Sequence, residues 1–196
     1  MSAQDFLRDE VYNVIREYEG FEPNAYMVDG EDFYTIGYGN TTNPDGSPIR
    51  SDQVVTRDEA DVMMRNKTDQ IYRKLMKDPD FASLPIGARS GLTSFSYNTG
   101  PNWIDHPEFG TINKALKQRS VPALKDSINL YVNPGTSVEK GLRRRRSEGE
   151  APLFDITAPP VPSNPPVGSF SISPGLQKKA EEAKTRVNKF KTGRYP

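Results

Sequence analysis

The sequence has no cysteine. That excludes disulfides, thiol nucleophiles and cysteine-ligated zinc. It has one histidine, His106, which leaves no basis for a histidine metal site or a Ser-His-Asp triad. No apolar run approaches the ~20 residues of a membrane span. The opening residues, MSAQDFLRDEV, lack the apolar stretch of a secretory signal. Apolar residues are only 34% of the chain and mean hydropathy is −0.72, yet 196 residues suffice for one domain with a real core. Carboxylates and hydroxyls remain as the reactive groups, and neither a metal nor a cofactor is expected.

Net charge is zero, but the balance is uneven. Residues 156–196 carry seven Lys/Arg against two acids, Glu181 and Glu182, so the rest of the chain is acidic. A nucleic-acid partner is not expected, because the body offers only the short basic run Arg143–Arg146. The basic tail either meets an anionic partner or is simply solvated.

Leu7, Val11, Val14, Ile15 and Tyr18 follow a helical stripe, which predicts a helix over 3–19 closed by Gly20. Periodicity then changes to that of a hairpin, with Tyr26 and Val28 on one strand, Phe33–Tyr38 on the other, and Gly30-Glu31-Asp32 between. Thr56-Arg57-Asp58-Glu59 reads as a capping box opening a helix to about Met76. Pro85 starts another, with Ala88, Leu92, Phe95 and Ser96 inward, ending at Asn98-Thr99-Gly100-Pro101. Shorter helical pieces are expected near 110–118, 120–131 and 137–148. Residues 157–174 hold six prolines and cannot pack a core. The expected organisation is a folded domain over 1–155, a Pro-rich linker over 156–174 and a basic helical tail over 175–196.

The chemistry concentrates in Tyr18–Asn40. Glu19 closes a helix, where outward carbonyls disfavour a carboxylate and favour a protonated carboxyl able to act as a general acid. Asp29 falls at the hairpin turn and Thr35 on the returning strand. Strand period puts Thr35, Gly37 and Gly39 on a small, open face and Tyr34, Ile36 and Tyr38 on a face that packs inward. A helix-end acid opposite a second carboxylate suits glycoside hydrolysis. Spacing alone allows equally a surface acid and an ordinary turn residue.

Glu19-Gly20, Tyr26, Asp29 and Thr35-Ile36-Gly37-Tyr38-Gly39 resemble the signature of the phage-type lysozymes of glycoside hydrolase family 24. Ser94-Phe95-Ser96-Tyr97-Asn98-Thr99-Gly100 resembles that family's central-helix ending. Gly141-Leu142-Arg143-Arg144-Arg145-Arg146-Ser147-Glu148, followed by Leu153-Phe154, resembles its closing block. The resemblance implies an α+β, mostly helical lysozyme-like fold with a small β-hairpin subdomain flanking a cleft. It implies Glu19 as general acid, with Asp29 and Thr35 positioning the attacking water. The implied substrate is peptidoglycan, cut without a metal, usually with inversion, at the β-1,4 bond between N-acetylmuramic acid and N-acetylglucosamine.

Three departures stand out. Glu19 to Asp29 is one residue longer than usual, with the surplus expected near Met27-Val28 and Asp32 held as the alternative carboxylate. Asn40 stands where relatives often have His, and Glu22 where a basic residue is common. Gly37, Tyr97, Asn98 and Trp103 are candidates for the sugar cleft; Tyr97, Asn98 and Trp103 also fit core or capping roles. Arg144 or Arg145 is expected to reach Glu19, unless the run serves only a structural ion pair. His106 is expected to be a plain loop residue.

Deployment as an endolysin would place the protein in the host cytoplasm, then in the periplasm and cell wall once a holin opens the membrane. Alternatively it is a virion tail lysozyme, bound to phage tail proteins through the C-terminal extension. A third possibility is a catalytically silent tail assembly or glycan-binding protein on the same fold.

Overall fold

A computed structural model describes residues 9–28 and 30–157. Asp29 lies outside the described residues. So do residues 1–8, the expected basic tail and, apart from Ile156 and Thr157, the expected Pro-rich linker.

Helix α1 (Asp9–Glu19) buries Val11, Tyr12 and Ile15, so Tyr12 joins the expected stripe while Val14 and Tyr18 are only partly covered. Gly20 ends it at φ +69°, a left-handed C′ conformation that glycine adopts freely. Strands β1 (Glu22–Met27) and β2 (Tyr34–Gly37) form a two-stranded antiparallel sheet. Tyr26 faces Thr35 and Met27 faces Tyr34, in regular register. The irregularity falls earlier, between Glu22 and Tyr26, rather than at Met27-Val28 as the spacing suggested. Its cause lies on the other edge: Ala25 N–H donates to Gln53 O at 3.0 Å and Val55 N–H to Pro23 O at 2.9 Å. A bulge of this kind bends a strand so that it can serve two partners.

Helix α2 (Arg57–Leu75) opens on the expected capping box, with Thr56 and Glu59 satisfying each other's backbone N–H groups. A short helix α3 (Pro79–Ala82), not anticipated, is capped by Asp78 and buries Phe81 completely. Helix α4 (Ile86–Thr99) starts after Pro85 as expected, but it has no single inner side. Every residue from Ile86 to Tyr97 is buried. It runs through the middle of the domain, touching α1 and α2. Three of its hydroxyls bond back one turn: Thr93 Oγ1 to Arg89 O, Ser96 Oγ to Leu92 O and Thr99 Oγ1 to Phe95 O, at 2.7–2.9 Å. Gly91 allows the closest approach, since a Cβ there would stand 2.2 Å from the Phe154 ring.

A 3₁₀ turn (Pro107–Phe109) leads to α5 (Gly110–Lys117) and α6 (Val121–Ile128). Helix α7 (Glu139–Arg144) continues into a π-helical turn (Arg145–Glu150) and α8 (Ala151–Leu153). The architecture is α+β and mostly helical, with the hairpin as its only sheet among the described residues. No helix among them is long and apolar enough to cross a membrane.

Candidate active site

Glu19 is the last residue of α1, and its side chain is 19% exposed. A substrate can therefore reach it. Its Oε1 accepts from Arg145 Nη1 at 2.6 Å. This is one of the two pairings expected from the basic run. Arg144 does not make it: exposed, it donates to Glu148 at 3.0 Å and Glu17 at 3.1 Å.

Arg145 is not free to serve Glu19 alone. Its Nε donates to Glu150 Oε1 at 2.9 Å. Glu150 is sealed from solvent and also takes Arg146 Nη1 on both oxygens, at 2.9 and 2.8 Å. Burial pushes the Glu150 carboxyl up in pKa, against the two arginines and the three charge-assisted bonds they give it. The π turn explains how one residue serves both arginines. In an i→i+5 geometry residues 145 and 150 share a face, and 146 lies only one position away. Gly149 lets this turn lie against α1, since a Cβ there would be 2.5 Å from the Tyr18 ring.

On the hairpin side, Thr35 is buried and pairs with Tyr26. Burial, then the nearby Glu19 charge, pushes the Tyr26 hydroxyl up, which puts Tyr26 within electrostatic reach of the acid. The expected inward face is correct for Ile36 and Tyr38, which are buried, and partly so for Tyr34. The expected open face is not. Strand alternation stops at Gly37, whose missing Cβ makes room for Ala60 of α2 at 3.0 Å rather than for a ligand. Gly39 is the residue that borders the acid, since a Cβ there would lie 3.4 Å from Glu19 Oε2. Asp32 is exposed in the turn, and Asp29 lies outside the described residues.

The remaining candidates separate. Trp103 is 1% exposed, and its Nε1 donates to Ser96 Oγ at 2.7 Å, so it is a core residue and not a sugar platform. Tyr97 is likewise buried, and its hydroxyl donates to Tyr38 O at 2.7 Å. Asn98 is at the surface and accepts from Arg146 Nη2 at 2.8 Å. His106 caps the 3₁₀ turn through Nδ1 and lies against Phe109.

Two residues escaped the sequence reading. Glu150 was hidden behind Glu148, the acid expected to close the arginine block; Glu148 proves exposed on Arg144. The only signal was its i+4 spacing from Arg146. Lys67 sits on α2 like any solvated lysine in sequence, but its ammonium is drawn in to Gly39 O at 2.7 Å.

The phage lysozyme family model matches residues 16–149 of the chain. No curated protein sequence matches it. Among solved structures, the endolysin from Escherichia coli O157:H7 phage FAHEc1 superposes with a TM-score of 0.61 at 20% identity, covering 79% of this chain and 97% of that one. The active form of P1 phage endolysin Lyz gives 0.60 at 20%, over 76% and 84%. The muramidase domain of SpmX from Asticaccaulis excentricus gives 0.59 at 21%, over 76% and 97%. At these identities the structures establish a shared fold.

Proposed function

The chain belongs to the phage lysozyme family of glycoside hydrolases, and on that premise we propose that it hydrolyses the β-1,4 bond between N-acetylmuramic acid and N-acetylglucosamine in peptidoglycan. Glu19 is the general acid that protonates the leaving glycosidic oxygen. The observation that carries this reading is a reachable carboxyl at the end of α1, oriented by a buried arginine at 2.6 Å. Thr35 and Asp29 hold the water that attacks the anomeric carbon from the opposite face of the sugar. Inversion requires ~6.5–9.5 Å between the two carboxyl groups, room for that water. Arg145 fixes the rotamer of Glu19, and Glu150 fixes Arg145. Asn98 is the one cleft candidate from α4 that remains at the surface, and it contacts the glycan.

The products test the reaction. Mass analysis of fragments released from purified peptidoglycan should find reducing N-acetylmuramic acid ends. Anhydro-muramic ends would mean a lytic transglycosylase instead, and reducing N-acetylglucosamine ends a glucosaminidase.

The deployment proposed is host lysis, supported by the phage endolysins that share the fold. Residues 1–155 would act as the catalytic domain, with 156–174 as linker and 175–196 as tail. Deleting the gene should leave finished particles trapped in unlysed cells. Normal lysis, with the chain present in purified virions, would replace this with a tail lysozyme bound to tail proteins through the extension.

A further inference from the structure

The turn that leaves β2 is unusually tight. Ile36 and Asn40 exchange both backbone hydrogen bonds at 2.9 Å, with Gly37 at φ +65° and Gly39 at φ +77°. This reversal points the carbonyls of Tyr38 and Gly39 at the helices, and each is taken by a different one. Tyr97 of α4 donates its hydroxyl to Tyr38 O at 2.7 Å. Lys67 of α2 donates its ammonium to Gly39 O at 2.7 Å. The two side chains also hold each other, with the Lys67 nitrogen 4.2 Å from the centre of the Tyr97 ring. The gripped residue, Gly39, is the one whose α-carbon borders Glu19.

We propose that Lys67 and Tyr97 are positioning residues that clamp consecutive hairpin carbonyls and set the hairpin against Glu19. This inference rests on Glu19 being the acid. An exposed lysine would gain nothing from the arrangement. Here burial pushes the Lys67 ammonium down in pKa, and the Glu19 carboxylate pulls it back up against repulsion from Arg145. Among the described residues, the charged and titratable groups within electrostatic reach of Glu19 include Arg145 and Arg146 from the π turn, Lys67 from α2, Tyr97 from α4 and Tyr26 from β1. The clamp joins the hairpin to two helices at the point where a small displacement would move Thr35 relative to Glu19.

The test compares kcat and KM of wild type, K67M, K67R and Y97F on soluble peptidoglycan oligomers, with circular dichroism reporting folding. K67M should lower kcat by roughly tenfold or more with KM within about twofold, because misplacement acts on the transition state. K67R should restore most of kcat. Y97F should likewise lower kcat with KM little changed, and it carries the positioning test if K67M does not fold. A folded K67M enzyme with wild-type kcat overturns the proposal. So does a loss that falls on KM rather than kcat, or one that K67R does not restore, since that is a packing effect. If folded wild type releases no product, the assignment of the reaction fails instead, and a crystal structure of K67M still decides whether Lys67 sets the hairpin against Glu19.

Discussion

Arg145 holds Glu19 at 2.6 Å with one nitrogen of a guanidinium whose Nε is already bonded to Glu150. Two carboxylates thus share one arginine, one of them reachable from solvent and one sealed. A lysine has its three donors on one nitrogen and lacks the planar fork, so it cannot reproduce the two separate nitrogens that Arg145 sets on the two carboxylates. Arg145→Lys should lower kcat/KM on the order of 10²-fold through misorientation of Glu19. Arg145→Met, which makes neither bond, should do at least as much. Steady-state kinetics of both variants check this. Near-wild-type activity in either would remove Arg145 from the account.

Glu150→Gln is predicted to act on stability first. It leaves Arg145 and Arg146 buried with too little negative charge, and breaking a buried pair in this way costs about 3–5 kcal/mol. Urea denaturation measures it. A loss below about 1 kcal/mol would mean that the network is not the dry pair described.

Gly91→Ala should destabilise by about 1–3 kcal/mol, the range for overpacking a filled core, because the new Cβ would meet the Phe154 ring at 2.2 Å. Phe154→Leu introduced beside it should recover part of that loss. Additive losses in the double variant, measured by chemical denaturation, would place the strain elsewhere.

Glu59 gives a pH prediction. The Thr56 backbone N–H and then its hydroxyl hold the Glu59 carboxyl below its ordinary value. A lowered folded-state value stabilises above the unfolded value and is lost as pH falls through the folded one. The Tm advantage of wild type over Glu59→Gln should therefore be full near neutrality and shrink below about pH 4.5. A constant difference from pH 7 to pH 3 would exclude this contribution.

Several parts of the fold and site were legible because local chemistry determines them. The capping box at Thr56, Gly20 after α1, and the inward Ile36 and Tyr38 follow from backbone geometry and period alone. Helix α4 was legible as a helix but not in its burial. Periodicity reports one apolar face, whereas here Ser90, Thr93 and Ser96 are interior because the helix runs through the core. Gly37 and Gly39 look interchangeable in sequence. Their difference arises from a turn that ends strand alternation and turns one to Ala60 and the other to Glu19. Trp103 was open to either a cleft or a core role because its loop is polar, and Ser96 decides for the core by supplying an acceptor for its ring nitrogen there. Glu150 and Lys67 owe their roles to neighbours far along the chain, and no local pattern distinguishes them from surface charges.

The central claim is that Glu19 donates the proton, and the direct measurement is the hydrolysis rate of purified peptidoglycan by Glu19→Gln beside wild type, with circular dichroism confirming that both are folded. The amide is close to isosteric but cannot donate the proton in the same way. A rate reduced by at least about 10²-fold, the usual scale of general-acid catalysis, is the predicted result. A folded Glu19→Gln protein that cuts within a few-fold of wild type would contradict it and would move the acid to another residue.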